Sequence, residues 1–402
     1  MENARLIACN SHPELAKAIS EALKIPIVND PTKYFANDET RVSLKTDGGS
    51  VRGFDIYIVA TGFSYAGKSV NDHVMELYFM IRTCKRSGAK SVTVLLPHYP
   101  YARQDKKDNA RAPISARDFA DMLELAGVDR LVCMDLHNAC IQGFFRGPCD
   151  NIYGSLVLKP FLAEKLFAGD PDYKDHYIAI APDEGGYKRT VKYAKIFGLP
   201  FLAMSKRRDY SKENCVEESV IQGDAKLLVG RIPIIFDDMI DTAGTVVAAA
   251  KELKQAGAKD VIVCVTHGLL SGPGLDRIKN SLDVSKFICS DSVPQGDRVK
   301  QCNEGHRAVV RHVRINAWVT EVCNDSDSDV VKAVRDVVSQ PMSDEALLTR
   351  LSGLFSPPSL DLLKQRLAEP IPDQMMVFSV ADIFTKITCR LIKGQPLSEL
   401  FE

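Results

Sequence analysis

Short apolar runs separated by helical patterns constrain the fold of this chain more than any other feature. Six of these runs predict buried strands, because they are rich in β-branched residues and lack the alternation of a half-exposed strand. They are Ile56–Ala60, Ser91–Leu96, Leu131–Met134, Tyr177–Ala181, Ile232–Phe236 and Val261–Val265. Strands buried on both faces and joined through helices are typical of α/β proteins with mostly parallel sheets.

One pattern occurs twice in the chain. Residues Lys85–Val94, followed by His98, resemble residues Lys254–Val263, followed by His267. Each copy has the pattern of a helix end, a glycine and a strand. The match predicts that the two halves repeat one fold. Because glycine commonly ends helices, a chance similarity of the two junctions stays open.

The stretch of residues 308–374 interrupts the alternation of strands and helices. It contains the polar run Asn324–Asp329 and proline pairs that separate amphipathic helical patterns. We therefore predict a helical insertion here. A strand at Met376–Phe378 and a helix at Ala381–Ile392 then resume the earlier pattern.

The composition excludes several classes of protein. With 402 residues, 45% of them hydrophobic, and a formal charge of -1, the chain has room for two or three domains and no charge excess for binding nucleic acid or a membrane. Its 11 cysteines form no CxxC pair, which favours a reducing compartment. There is no secretory signal pattern and no apolar run of membrane length, so we expect a cytoplasmic protein.

An acidic cluster and a polar turn follow the strand Ile232–Phe236. Asp237, Asp238 and Asp241 can accept hydrogen bonds from sugar hydroxyls. Residues Thr242–Thr245 begin the next helix, so their backbone N–H groups and hydroxyls can bind an anion with the help of the helix dipole. Helix capping requires one such residue and not five. The segment therefore predicts a site for a sugar phosphate.

Basic residues follow two other strands, at the edge where parallel sheets bind ligands. Arg103 lies in a charged loop with Gln104 and Asp108, which can orient it against a polyphosphate or a nucleotide. Lys206 and Arg208 follow a short apolar run and can stabilise the charge of a phosphoryl group in transfer. Solvated surface loops are the alternative interpretation of both segments.

Two further strand ends carry candidate ligands of a metal or pyrophosphate. Asp135 and His137 end one strand and are of the types that bind a divalent ion or its waters. Asp183 begins a loop in which Gly185 and Gly186 permit close approach of a pyrophosphate. A structural histidine and a plain tight turn are the alternatives.

A phosphate-loop pattern competes with these segments. Residues Gly62–Ser69 match GxxxxGK[ST] between a strand and a helix, a match that chance produces in about one such chain in a hundred. This interpretation makes Lys68 a phosphate ligand and Asp135 a metal carboxylate.

Taken in order, the segments resemble the ribose-phosphate diphosphokinase family, also called phosphoribosyl pyrophosphate synthetases. The resemblance covers roughly residues 6–299 and the last helix. It is carried by Tyr101–Asp108, Arg111–Ala116, Met134–His137, Ile141–Phe145 and Asp237–Thr245. Their joint occurrence outweighs the single phosphate-loop match.

The resemblance implies two type I phosphoribosyltransferase-like domains, each a mostly parallel sheet flanked by helices, related as an internal repeat. Residues 1–152 would form the nucleotide side, and residues 153–307 with 375–402 the ribose 5-phosphate side. The insertion 308–374 has no counterpart in compact members of the family.

The family's reaction transfers pyrophosphate from ATP, with Mg²⁺, to ribose 5-phosphate and serves nucleotide biosynthesis. By position, the residues implied for ATP are Phe35, Asn37, Glu39, Arg103, Gln104, Asp108 and His137. Those implied for ribose 5-phosphate are Asp237, Asp238, Asp241, Thr242, Ala243, Gly244 and Thr245. Those implied for pyrophosphate and magnesium are Asp183, Gly185, Gly186 and His137, with Asp135 as a further candidate, and the implied catalytic pair is Lys206 and Arg208.

In the family, the contacts of Phe35, Asn37 and Glu39 with adenine come from a neighbouring subunit. The resemblance therefore implies a homo-oligomer built from dimers, with a hexamer as the common form. Two other functions stay open on the sequence. One is a noncatalytic regulatory paralogue within a larger complex, and the other is a phosphate-loop kinase that uses Lys68.

Overall fold

The computed structural model describes residues 2–208, 217–322 and 342–400, together with residue 337, and leaves out the side chains of residues 206–208 and 217–220. Its core consists of a five-stranded and a seven-stranded sheet, flanked by helices. The α/β class with mostly parallel sheets is therefore confirmed.

The first sheet consists of strands from the amino-terminal part of the chain. These strands and a short hairpin are β1 (Ala4–Ala8), β2 (Lys33–Tyr34), β3 (Thr40–Arg41), β4 (Asp55–Val59), β5 (Ser91–Leu96), β6 (Arg130–Met134) and β7 (Cys149–Ile152). The sheet order is β1-β4-β5-β6-β7, with every neighbouring pair parallel. Strands β2 and β3 pair separately as an antiparallel hairpin.

The second sheet uses the remaining strands. They are β8 (Tyr177–Ala181), β9 (Phe201–Arg208), β10 (Glu217–Gln222), β11 (Ile232–Ile240), β12 (Ile262–Gly268), β13 (Lys286–Ser290) and β14 (Met375–Phe378). Their order is β10-β9-β8-β11-β12-β13-β14, and the pair of β9 with β10 is antiparallel. Met375–Phe378 confirms the predicted return of a strand after the insertion.

Helices cover both sheets and bury their apolar faces. They are α1 (Pro13–Leu23), α2 (Val70–Arg86), α3 (Ser115–Ala126), α4 (Ser155–Lys165), α5 (Tyr173–His176), α6 (Tyr187–Phe197), α7 (Gly244–Gln255), α8 (Gly274–Asn280), α9 (Arg298–Val322), α10 (Asp344–Leu351), α11 (Pro357–Ala368) and α12 (Ala381–Ile392). Each sheet has one apolar cluster on either face. Continuous burial on both faces explains why the strands lack polar alternation.

Two strands run further than the sequence predicts. Strand β11 was expected to end at Phe236, but its pairing with β12 continues to Ile240 opposite Gly268. The acidic pair therefore lies within a strand. The short apolar run before Lys206, Phe201–Met204, was expected to end at Met204, but β9 continues to Arg208 because β10 pairs with it. Lys206 and Arg208 are thus strand residues and not part of the loop that we predicted.

The repeated sequence pattern corresponds to a repeated structural unit. The strand–helix–strand unit β4–α2–β5 in the first sheet matches β11–α7–β12 in the second. The glycine after each helix, Gly88 or Gly257, has a positive φ of 83° or 96°. A left-handed residue at this position ends a helix, and glycine adopts it without strain.

The carboxyl-terminal part of the chain contacts both sheets. Helix α12 packs against α1, where Phe384 and Ile387 join the apolar cluster of the first sheet. The predicted division assigns residues 375–402 to the second domain and stays a prediction. Within this range, β14 joins the second sheet and α12 covers the first. Helices α9, α10 and α11 form an additional apolar cluster around Trp318, whose Nε1 donates to Ser359 O over 2.7 Å.

Candidate functional site

The candidate site lies where the carboxyl ends of strands from both sheets meet. At its centre, Asp237 and Asp238 occupy the last half of β11, and the Asp238 side chain is only 4% exposed. Nη1 of Arg189 lies 3.0 Å from Oδ1 of each aspartate. His137, from the first sheet, donates through Nδ1 to Asp238 Oδ2 over 2.8 Å.

The two aspartates differ in charge. Burial and the neighbouring charge of Asp238 raise the pKa of Asp237 well above its ordinary value. Burial would also raise the pKa of Asp238, but the hydrogen bond from His137 and the charge of Arg189 lower it. The same bond to Asp238 raises the pKa of His137. Adjacent buried carboxyls favour a single negative charge, and it resides on Asp238 because more donors face it.

We call Arg103–Asp108, predicted to bind the nucleotide, the nucleotide loop, and Asp241–Thr245, predicted to bind the sugar phosphate, the sugar loop. A second contact between the halves joins these two loops. Arg103, which follows β5, donates through Nη1 to Asp241 Oδ2 over 2.7 Å. Burial alone would raise the pKa of Asp241, but hydrogen bonds from Ser271 and Arg103 hold it below its ordinary value. The two segments predicted to bind different substrates therefore face each other across one cleft.

The turn from β11 to α7 presents backbone groups to the same cleft. Ala243 adopts the left-handed region at φ 60°, and α7 begins at Gly244. No side chain in the described part of the chain caps α7. Arg277 fixes the turn from outside, because its Nη1 donates to Thr242 O over 2.9 Å. The unpaired N–H groups at the start of the helix can bind a phosphate.

The remaining residues of the nucleotide loop are exposed. Gln104 connects the loop to α3, since Ala116 N donates to its carbonyl over 3.2 Å. Asp108 forms an exposed ion pair of 3.6 Å with Lys106. The loop is thus anchored through the backbone of Gln104, while the side chains of Gln104 and Asp108 lie open to solvent.

The predicted adenine contacts lie on the hairpin β2–β3, apart from the acidic residues. Phe35 is 51% exposed, and its N–H donates to Glu39 O over 2.9 Å. Asn37 lies in the turn between these two residues and accepts from Glu39 N over 3.4 Å. In the described structure, this hairpin is held by Lys68, which pairs with Asp38, and not by the groups of the cleft.

The glycine turn after β8 leads into α6. Asp183 Oδ1 accepts from Gly186 N over 2.9 Å, so the turn caps itself. A Cβ on the buried Gly186 would lie 3.2 Å from Pro182, whereas Gly185 is exposed. Asp183 is half-buried, and its Oδ2 has no hydrogen-bond partner among the described residues. This oxygen is free to accept a ligand.

The candidate magnesium ligands differ in how well they fit the ion. Within the described ranges, His, Cys, Asp and Glu side chains form no group of three that could hold a metal ion. Mg²⁺ commonly takes one or two carboxylates from the protein and its other ligands from phosphate and water. The free oxygen of Asp183 fits an ion that arrives with a polyphosphate. Asp135 is half-buried and accepts from the Thr266 hydroxyl, and desolvation raises its pKa.

The structure describes the backbone of Lys206 and Arg208 but not their side chains. Both residues lie on β9, opposite Ser219 and Glu217 of β10. Their predicted catalytic role therefore falls on side chains outside the described structure.

Lys68 has a different environment from a phosphate-loop lysine. Its Nζ donates to Asp38 Oδ1 over 2.7 Å and lies 3.9 Å from the centre of the Tyr34 ring. Ser69 caps α2 together with Asp72. The groups that a phosphate loop would use are engaged by neighbouring side chains.

Sequence reasoning missed two residues that hold the acidic cluster. Arg189 binds both aspartates of β11, and Ser271 binds Asp241. Arg189 follows the glycine turn by three residues, so its place in the first turn of a helix was a usable signal. No comparable sequence signal pointed to Ser271, because its partner, Asp241, follows a different strand.

In the part of the chain that the structure describes, no helix is both long enough and apolar enough to cross a membrane.

Family models match both halves of the chain. A model of the N-terminal domain of ribose phosphate pyrophosphokinase matches residues 4–127, and a model of the phosphoribosyl synthetase-associated domain matches residues 216–323. Together they span more than half of the 402 residues.

A full-length match to a solved structure gives a consistent result. The phosphoribosylpyrophosphate synthetase from Mycobacterium smegmatis is 29% identical with a TM-score of 0.69, and the match covers 98% of this chain and 99% of that one. The purine phosphoribosyltransferase from Pyrococcus horikoshii Ot3 is 27% identical over 28% of this chain and 70% of its own, and its TM-score of 0.22 is too low to support an argument. The two family models and the full-length structural match lead to one conclusion: the chain belongs to the ribose phosphate pyrophosphokinase family.

Proposed function

We propose that this chain is itself catalytic and transfers pyrophosphate from Mg²⁺-ATP to the anomeric hydroxyl of ribose 5-phosphate. The observation that carries the proposal is the contact of Arg103 with Asp241, 2.7 Å long, between the nucleotide loop and the sugar loop. Substrates bound to these loops would lie close enough for direct transfer. The products are phosphoribosyl pyrophosphate and AMP.

The acceptor sugar would occupy the acidic end of β11. Asp237, Asp238 and Asp241 can accept from the ribose hydroxyls, and the ionised state of Asp238 strengthens such bonds. The 5-phosphate would lie at Thr242–Thr245, where the uncapped start of α7 offers N–H donors and its dipole. This placement directs the anomeric carbon toward the first sheet.

ATP would bind from the side of the first sheet. We assign its phosphates to Arg103 and His137 and its further contacts to Gln104 and Asp108. Phe35, Asn37 and Glu39 would contact the adenine of a neighbouring subunit, since their exposed hairpin lies apart from the acidic residues. This arrangement requires a homo-oligomer built from dimers, and a hexamer is consistent with it.

In the transfer step, the anomeric oxygen attacks the β-phosphorus and its hydroxyl proton passes to water. The bond from this phosphorus to the α-phosphate oxygen breaks, and AMP leaves with the electron pair of that bond. Asp183 and His137 would hold magnesium, which neutralises polyphosphate charge when bound, with Asp135 as the further candidate ligand. Gly185 and Gly186 allow the pyrophosphate to approach the backbone. Lys206 and Arg208 would stabilise the negative charge on the group in transfer.

The test is an assay of AMP formation by the purified chain with ATP, magnesium and ribose 5-phosphate. We expect AMP only when the sugar is present. Release of ADP, or turnover without sugar, would refute the proposal. An inactive chain that changes the rate of a catalytic synthetase would instead support the noncatalytic paralogue.

A further inference from the structure

Arg189 makes contacts in the site that the proposed function does not use. It lies in the first turn of α6, three residues after Gly186, and its side chain is 21% exposed. A single nitrogen, Nη1, lies 3.0 Å from Oδ1 of both Asp237 and Asp238. The side chain therefore links the glycine turn to the acidic end of β11.

The charges around Arg189 make it necessary to the cluster. The carboxylates of Asp237, Asp238 and Asp135 all interact electrostatically with its guanidinium. Burial disfavours this charge, but the three carboxylates outweigh burial and raise the pKa of Arg189. Without the guanidinium, the buried charge of Asp238 would keep only the hydrogen bond from His137, and Asp237 would lose the Arg189 donor that orients it.

The two oxygens of Asp238 have different hydrogen-bond partners. Because Arg189 engages Oδ1 of Asp238, Oδ2 of that carboxylate is left to His137. The next cation on this face of α6, Lys192, lies over the Tyr153 ring at 3.3 Å from its centre. The Lys192 ammonium thus lies against Tyr153. Among the described residues of this helix, Arg189 alone fixes the orientation of both aspartates.

We propose that Arg189 is a positioning residue for the acceptor sugar, holding Asp237 and Asp238 in the orientation that binds the ribose hydroxyls. The inference rests on the proposed function, because it assumes that ribose 5-phosphate binds to this acidic pair. It assigns Arg189 no contact with ATP. Loss of the side chain should therefore weaken sugar binding much more than nucleotide binding.

The experiment measures the binding of ribose 5-phosphate by calorimetry, with magnesium and α,β-methylene-ATP present so that no transfer occurs. For Arg189→Ala we expect the Kd of the sugar to rise about 30-fold or more, since truncation removes the buried cation that orients both carboxyl groups. The Kd of the ATP analogue should change less than about threefold. Arg189→Lys, which keeps the charge but shortens the reach, should give an intermediate Kd for the sugar.

Two controls make the result specific. Lys195→Gln removes a charge from an exposed position on the same helix and should leave both Kd values unchanged. Methylguanidinium added to the Arg189→Ala variant should lower the Kd of the sugar again.

Sugar binding equal to wild type in both Arg189 variants would overturn the inference. An equal loss of sugar and nucleotide binding would also overturn it, since this indicates only structural damage. If the wild-type chain binds the sugar but forms no AMP, the proposed transfer fails, while the binding comparison still tests the role of Arg189.

Discussion

The turn between β4 and α2 and the turn between β11 and α7 occupy equivalent places in the repeated unit, but their polar groups are used differently. In the first turn, Ser69 Oγ accepts from Asp72 N over 3.2 Å, and Asp72 Oδ2 accepts from Ser69 N over 2.8 Å. Lys68 is paired with Asp38. The start of α2 is thus satisfied by its own side chains.

The second turn leaves the equivalent groups free. Within the described residues, no side chain caps α7, and the carboxylates of β11 precede it in the strand. Under the proposed function, the place in the fold does not by itself decide which turn binds phosphate. A helix start binds an anion only when local side chains do not already satisfy its N–H groups. A pattern such as GxxxxGK[ST] does not report this condition.

The largest expected effect comes from Asp238→Asn. Asn cannot carry the charge that His137 and Arg189 stabilise, so we expect a roughly 10²- to 10³-fold lower kcat/KM for ribose 5-phosphate. Asp237→Asn is the matched control. Burial and the charge of Asp238 raise the pKa of Asp237 and so favour its neutral form, which an amide imitates. The loss should therefore be about tenfold smaller. Steady-state AMP assays would measure both, and equal losses would contradict the assigned charges.

Gly244→Asp should place a side-chain acceptor at the start of α7, as Ser69 and Asp72 do at the start of α2. A Cβ at Gly244 lies 3.2 Å from Arg277 Nη1, so a carboxylate can be accommodated there with a small shift of Arg277. This carboxylate would occupy the start of α7 and repel the 5-phosphate. We expect the KM for ribose 5-phosphate to rise about 100-fold without loss of thermal stability, because the new charge favours the helix.

The control for this prediction is Gly244→Ala, which adds the Cβ without the charge. Its KM should stay within about threefold of wild type, since a factor of three is well under 1 kcal/mol. A similar rise in KM for both variants would indicate steric damage and not competition for the N–H groups.

One feature is alike in the two units, namely the histidines His98 and His267. Both are buried, and their ring centres lie 4.8 Å apart. Burial lowers the pKa of His98 to about 3 and that of His267 to about 4. Both values lie below the ordinary 6.5, so in acid the unfolded chain binds more protons than the folded chain. The contribution of the two neutral histidines to the free energy of unfolding is complete above about pH 6.5 and is lost as the pH falls toward 4 and 3.

We therefore expect each histidine to reduce the free energy of unfolding by about 2 kcal/mol between pH 7 and pH 5. Urea unfolding at the two pH values would measure the change. His267→Gln, which cannot titrate, should show about half of the wild-type difference. The same pH dependence in wild type and variant would show that the pair does not titrate between these pH values.

The sequence predicts those parts of the site that are local in the chain. The buried strands and the segment Asp237–Thr245 were identified because their signals lie within a dozen neighbouring residues. The contacts that orient the site are not local. Arg103 and Asp241 are 138 positions apart, and Arg189 and Asp237 are 48 apart. Such pairs depend on how strands are ordered in the sheets, which periodicity does not determine.

Lys68→Ala should have the smallest effect on activity, and it tests the comparison of the two turns most directly. The Lys68 ammonium is engaged with Asp38 and the Tyr34 ring, away from the acidic pair, so kcat should stay within about twofold of wild type. Ser69→Ala should likewise preserve kcat but lower the stability by about 1 kcal/mol, because the capping box of α2 is lost. Thermal unfolding and AMP assays on the same preparations separate the two effects. A loss of turnover in Lys68→Ala comparable to that in Asp238→Asn would mean that the first turn binds phosphate after all.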